Sequence, residues 1–110
     1  MAKYIKLPAV QTGFVLLKSG SYTENSKNYS NETGNISSIL IANEHASTAL
    51  VVHLFLDDVD SADDFFIIKN VEIAEGSTLV LQDNLSFDIN KFSLKITTQG
   101  TGVTATIIIK

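Results

Sequence analysis

One stretch decides the fold of this 110-residue chain. It spans Thr48–Leu81 and reads TALVVHLFLDDVDSADDFFIIKNVEIAEGSTLVL. Three runs rich in Val, Ile, Leu and Phe are separated by an acidic turn and by Glu75-Gly76. Apolar runs of this length, bounded by Asp, Asn and Gly, are typical of β-strands. The stretch therefore predicts a β-hairpin followed by a third strand.

The first run divides into two faces, because successive side chains of a strand point to opposite sides of the sheet. One face carries Leu50, Val52, Leu54 and Leu56, and the other carries Val51, His53 and Phe55. Both faces are apolar apart from the histidine. Such a strand is either covered on both sides or packs one face on the core and the other on a partner. In the second run the alternation changes near Lys69-Asn70, which predicts a bend or bulge.

The remainder of the chain extends this pattern. About seven to nine short strands are separated by turn residues, and no window keeps the spacing of an amphipathic helix. The predicted fold is an all-β antiparallel β-sandwich, either jelly-roll or Ig-like. Residues 1–13 are predicted to form an extended N-terminal arm. Residues 14–110 are predicted to form a single sandwich domain with a long polar loop at 19–35.

Composition narrows the classes of function. The chain is 45% hydrophobic and only 18% charged, so part of its apolar surface is expected to contact a partner. The net charge is −4 and the basic residues are scattered, which argues against a nucleic-acid partner. No segment has the length of a membrane span or the pattern of a signal peptide, so we expect no membrane contact and folding in a cytoplasm.

Motifs for catalysis are missing from the sequence. There is no cysteine, no Gly-x-Ser-x-Gly elbow, no phosphate-binding glycine loop and no paired-histidine metal spacing. We therefore expect neither enzymatic activity nor a cofactor, and we assign no catalytic residue. Of the two histidines, His45 lies in a predicted turn. His53 is interpreted as a buried or interface residue with a hydrogen-bond partner.

The densest polar feature is the acidic turn between the first two runs. Its five carboxylates belong to Asp57, Asp58, Asp60, Asp63 and Asp64. We interpret it as a solvated turn that keeps an apolar hairpin soluble. The alternative is a calcium site, since calcium takes six to eight oxygen ligands. The turn lacks the spacing and the glycine of the EF-hand calcium loop.

Interface candidates come from three parts of the chain. They are Tyr4, Ile5 and Leu7 in the arm, Tyr22 and Tyr29 in the polar loop, and Val51, His53 and Phe55 on the second strand face. Tyrosine combines a large apolar ring with a polar tip. The loop tyrosines could contact a ligand or hold the loop against the domain, and the sequence leaves both open.

Residues 36–110 resemble the small β-sandwich structural proteins of tailed bacteriophages. The matching segments are Thr48–Leu56, Phe66–Ile73, Ala74–Leu81, Phe92–Ile96 and Val103–Lys110. The resemblance implies a virion component, assembled in the host cytoplasm, that makes homo-oligomers, with a trimer as the expected form, and binds major capsid or tail proteins. The match includes no catalytic or ligand motif, so it assigns no site residue.

The expected function is that of a capsid decoration or cement protein that stabilises the assembled particle. Two alternatives stay open at this point. One is a tail or neck attachment protein. The other is a carbohydrate- or receptor-binding module that uses the polar loop, with Tyr22 and Tyr29 stacking on sugar rings.

Overall fold

The computed structural model describes residues 2–20, 34–61, 63–82 and 84–110, together with the backbone of residues 22–24 and 27–29. The described residues form strands, turns and bends and contain no helix. The strands are β1 (Lys3–Leu7), β2 (Phe14–Leu17), β3 (Tyr22–Glu24), β4 (Lys27–Tyr29), β5 (Asn35–Ile36), β6 (Ile39–Asn43), β7 (Leu50–Asp58), β8 (Asp64–Ile73), β9 (Thr78–Leu81), β10 (Leu85–Ser86), β11 (Phe92–Gln99) and β12 (Ala105–Ile109).

Two four-stranded antiparallel sheets make up the domain. Sheet 1 has the order β1-β12-β6-β9, and sheet 2 has the order β2-β11-β7-β8. Two small pairs, β10-β5 and β3-β4, complete the described strands. The predicted antiparallel β-sandwich is confirmed. The two main sheets account for eight strands, within the range predicted from sequence.

The core lies between the two sheets and follows the strand alternation. From sheet 1 it takes Ile39, Ile41, Ala105, Ile107 and Ile109, and from sheet 2 Leu50, Val52, Leu54, Leu94 and Ile96. Most of these side chains are less than about one-twentieth exposed. Isoleucine, leucine and valine pack well on pleated surfaces, so this inner layer is what holds the two sheets together.

A buried asparagine ties the sheets at one end. The Asn43 amide donates to the carbonyls of Thr48 and Ile73, at 2.9 and 3.0 Å, and its oxygen accepts from the His45 N–H at 3.0 Å. Asn43 is 2% exposed, so these bonds replace the water that its polar atoms lose on burial. They link the end of β6 to the start of β7 and the end of β8.

The segment predicted as an N-terminal arm contains an edge strand of the sandwich. Lys3–Leu7 pairs along its whole length with Ala105–Ile109. The segment beyond it is also bonded to the domain, because Gln11 exchanges hydrogen bonds with Thr98. Of the polar loop at 19–35, the structure describes a short hairpin in which Tyr22 is paired with Tyr29.

Candidate functional site

Each sheet turns one face to the core and the other outwards, and the outer face of sheet 1 carries an unexpected apolar row. The register places Tyr4 opposite Ile108, Ile108 opposite Leu40, and Leu40 opposite Val80. We call these four residues the outer row. Tyr4 is 72% and Val80 44% exposed, whereas Ile108 and Leu40 are half-buried.

The surroundings of the outer row are small and nearly uncharged. The next row across the same face consists of Lys6, Thr106, Ala42 and Thr78. An outward face of an antiparallel sheet is ordinarily polar. Here an apolar residue occupies every strand of the sheet at one level, which gives a flat, weakly charged surface suited to a protein partner.

The outer face of sheet 2 has a different shape, because β8 is irregular. Its register with β7 shifts twice, between Val52 and Leu54 and between Leu54 and Phe55. Asn70 adopts a φ of 56°, in the left-handed region. The bulge predicted near Lys69-Asn70 is therefore confirmed. Bulges bend a strand and re-aim its side chains.

The irregular backbone leaves a shallow groove of about 330 Å³, which we call the aromatic groove. Its apolar part is formed by Phe55 and Phe66, whose ring centroids lie 5.3 Å apart. His53 meets the Phe66 ring edge-on, with centroids 6.3 Å apart. Phe66 is 45% exposed and Phe55 is buried. The groove thus offers one open and one covered aromatic ring.

Polar groups surround these rings. Lys69 Nζ lies 4.8 Å from the Phe66 centroid, close enough for a cation–π contact. Asp64 and Thr97 also line the groove. The Gly13 N–H donates to Thr97 Oγ1 at 3.0 Å. This bond holds the segment before β2, where Gly13 has a φ of 61°, at the wall of the groove.

His53 is fixed by β8. Its Nδ1 accepts a hydrogen bond from the Asn70 N–H at 3.3 Å. A neutral imidazole has one donor and one acceptor nitrogen, so this bond assigns the proton to Nε2. His53 thus presents a hydrogen-bond donor from a residue of the groove. The other histidine serves a turn, since His45 Nδ1 accepts from the N–H groups of Ser47 and Thr48, both at 3.0 Å.

The predicted interface residues fall into separate groups. Tyr4 is exposed, but Leu7 is 1% exposed in the core and Ile5 packs against that core. Leu7 therefore cannot contact a partner as predicted, because β1 turns it inwards as part of a sheet. Val51, His53 and Phe55 do share the outer face of sheet 2. The side chains of Tyr22 and Tyr29 lie outside the described residues.

The acidic turn does not gather its carboxylates. Asp57 pairs with Lys95 at 2.6 Å, and Asp58 accepts from the Asp60 N–H at 2.9 Å. Asp63 accepts from the hydroxyl of Ser61 at 3.2 Å. In the described part of the chain, no three His, Asp or Glu side chains are placed to hold a metal ion. The calcium alternative thus has no ligand cluster among these residues.

Among the described residues, two carboxyl groups have lowered pKa values. The backbone N–H of Asp60, with further help from Ser61 and Lys91, holds the pKa of Asp58 below its ordinary value. The hydrogen bond from Lys6, at 3.0 Å, lowers the pKa of Glu44. Both groups bind to neighbours within the fold, so we assign them to stability rather than to chemistry.

Sequence reasoning missed most of both surfaces. The outer row was not predicted beyond Tyr4, although the triplet Ile107-Ile108-Ile109 shows that one isoleucine must point away from the core. Phe66 and Lys69 were missed because the bulge hides which side of β8 they occupy. Thr97 comes from a distant strand, and its contribution depends on sheet order.

Comparisons of the chain with family models, with curated proteins and with solved structures gave no match. Among the described residues, no helix has the length and apolarity needed to cross a membrane.

Proposed function

We propose that this protein is a structural component of a bacteriophage particle, a capsid decoration or cement protein that binds the assembled particle and stabilises it through homo-oligomeric contacts. The resemblance of residues 36–110 to small phage β-sandwich proteins supports the phage assignment. The observation that carries the binding role is the outer row, because the core lies on the other face of this sheet and the outward face of such a sheet is ordinarily polar.

The outer row suits a large protein surface better than a small molecule. It crosses all four strands of the sheet in one unbroken register. Protein interfaces of standard size bury roughly 800 Å² on each partner and are depleted in charge at their centre. The outer row with its polar neighbours supplies an uncharged centre, and the remainder of the sheet supplies the rim.

The backbone of β8 supports docking through a face rather than by strand addition. β8 is an edge strand with ten residues, and a long regular edge would invite pairing with another chain. Its two register shifts interrupt such pairing. The irregular β8 therefore favours contact through the side chains of an outer face over strand pairing at this edge.

Incorporation into particles tests this function. Phage particles assembled without the protein are incubated with the purified chain, sedimented through a density gradient and analysed by quantitative mass spectrometry. We expect the wild-type chain to co-sediment in a fixed ratio to the major capsid protein. We expect the double variant Leu40→Thr/Ile108→Thr to lose binding by at least about tenfold, since each change removes an apolar contact at the interface centre.

Thr106→Ser is the matched control, because Thr106 lies on β12 and on the same face as Ile108 but outside the outer row. It should bind as the wild-type chain does. A wild-type chain that stays at the top of the gradient, or a double variant that binds normally while remaining folded, would contradict the proposal.

A further inference from the structure

We propose that the aromatic groove receives Tyr4 of a second copy of this chain, so that copies associate head to tail. The inference rests on the proposed function in one respect, that the protein works as a homo-oligomer. It adds the contact by which the copies associate. Tyr4, at the edge of sheet 1, is assigned to a neighbouring copy, and Leu40, Ile108 and Val80 are the residues of the outer row that contact the particle.

Tyr4 has the properties of an interface anchor. It is 72% exposed at the edge of sheet 1, on a strand held by five paired residues of β12. A tyrosine on a fixed strand loses little conformational freedom on binding, and tyrosine is one of the residues that dominate interface energies.

The groove has the matching chemistry. Phe66 and Phe55 provide an open and a covered ring, and a third ring can pack edge-on or offset against them. The phenol oxygen both donates and accepts. It would find the Nε2–H of His53, the Lys69 ammonium and the Thr97 hydroxyl among the groove residues.

Charge around the two elements is complementary. Lys6 lies on the same face of β1 as Tyr4, and its side chain is 68% exposed even in its pair with Glu44. Lys3 faces the other side of the strand and donates to the Leu16 carbonyl at 2.7 Å. The groove is bordered by the exposed Asp64, which follows the exposed Asp63 of the acidic turn. Lys69 is a cation of the groove, and its position over Phe66 directs it to the ring and the phenol oxygen rather than to Lys6.

The position of the two elements excludes a reciprocal contact through one patch. Tyr4 lies on edge strand β1 of sheet 1, whereas Phe66 lies on edge strand β8 of sheet 2. Each copy therefore uses its tyrosine toward one neighbour and its groove toward another. Such heterologous contacts form a ring when the rotation closes and a filament when it does not.

Mixing two variants tests this arrangement. Tyr4→Ala removes the anchor and keeps the groove. Phe66→Ala removes the open aromatic ring of the groove and keeps the anchor. In sedimentation velocity and light scattering we expect the wild-type chain to form oligomers larger than a dimer. Each variant alone should self-associate at least about tenfold more weakly. An equimolar mixture of the two should give a dimer containing one copy of each.

Charge exchange gives a second readout that does not depend on the aromatic rings. Lys6→Glu should weaken association, because it places a carboxylate against Asp64 of the next copy. Mixing it with the Asp64→Lys variant should restore association, because the two introduced charges are opposite and meet between one copy of each variant. Val59→Ala is the control, because Val59 is an exposed apolar residue outside both elements. Tyr4→Phe keeps the ring and removes only the phenol hydroxyl, so it should weaken association less than Tyr4→Ala does. Thermal unfolding of every variant separates loss of contact from loss of fold.

The inference is overturned by a wild-type chain that is monomeric at every concentration reached, or by a variant mixture that stays monomeric while the wild-type chain associates. Its failure is separable from that of the proposed function. Particle binding without the mixed dimer leaves the function and removes this contact. A mixed dimer without particle binding would contradict the proposed function and leave this contact in place.

Discussion

The outer faces of the two sheets show how backbone regularity shapes a protein surface. Sheet 1 keeps one register across its four strands, and its exposed apolar residues line up as a flat row. Sheet 2 has register shifts on both sides of its central pair, and its outer face contains a groove. The same two-residue alternation builds both faces, so the bulges make the difference.

The two faces also differ in charge. The rows that cross sheet 1 at Leu40 and Ala42 contain a single charged residue, Lys6. Sheet 2 presents Lys95 paired with Asp57, and Lys69 and Asp64 at the groove. A flat uncharged face suits a broad protein surface, whereas a charged groove suits one inserted side chain. The following predictions test this contrast.

The largest expected effect is on the free energy of unfolding, and it compares two adjacent residues of sheet 1, one on the inner face and one on the outer face. Ile107 is fully buried and Ile108 lies in the outer row. Ile107→Ala should lower the free energy of unfolding by about 2–5 kcal/mol, because it leaves a cavity in the core. Ile108→Ala should lower it by only about 1 kcal/mol or less, because Ile108 is half-buried and loses cross-strand contacts but leaves no core cavity. Urea denaturation measures both, and equal losses would show that the outer row is needed for folding.

The next effect concerns the bulge that distinguishes sheet 2. Asn70→Ala should lower the free energy of unfolding by about 1–2 kcal/mol, since alanine is strained at positive φ. Asn70→Gly should change it little, because glycine adopts this conformation freely. Both variants keep the backbone N–H that donates to His53. Chemical denaturation of the two variants therefore compares how well alanine and glycine tolerate the positive φ. A glycine variant as unstable as the alanine variant would assign the cost to the lost amide side chain.

A pH dependence follows from the two carboxyl groups with lowered pKa values. A folded-state pKa below the unfolded value gives stability that is present above the ordinary carboxyl pKa of about 4 and is lost as pH falls through the folded value. Asp58→Asn and Glu44→Gln should therefore lower the melting temperature at pH 7, and each difference from wild type should shrink in acid. The Asp58 effect should be larger, because that side chain is only 8% exposed. A difference that persists unchanged in acid would show that charge is not its cause.

The smallest expected effect compares one ion pair on each face. Lys95→Met removes the 2.6 Å pair with Asp57 on sheet 2 and should cost up to about 1 kcal/mol. Lys6→Met removes the more exposed pair with Glu44 on sheet 1 and should lower the unfolding midpoint by less than Lys95→Met does. Added salt should reduce the first effect. A larger loss for Lys6→Met would reverse the electrostatic contrast between the faces.

Strand-level features followed directly from local residue patterns. The alternation in Leu50–Leu56 placed Leu50, Val52 and Leu54 in the core, and the broken alternation placed the bulge near Asn70. The histidine in that strand was correctly expected to have a hydrogen-bond partner. Each of these depends on neighbours in the chain, which is why one sequence sufficed to predict them.

The surfaces depended on information that no local pattern contains. Tyr4, Leu40, Val80 and Ile108 are far apart in the chain, and each alone is one apolar residue on a strand. Only sheet order and register bring them to one level of one face. Leu7 was assigned to an interface for the same reason, because the pairing of β1 with β12 was not visible in the sequence. Local side-chain alternation thus determined the elements and the core of this protein, whereas long-range strand pairing decided which residues meet at its surface.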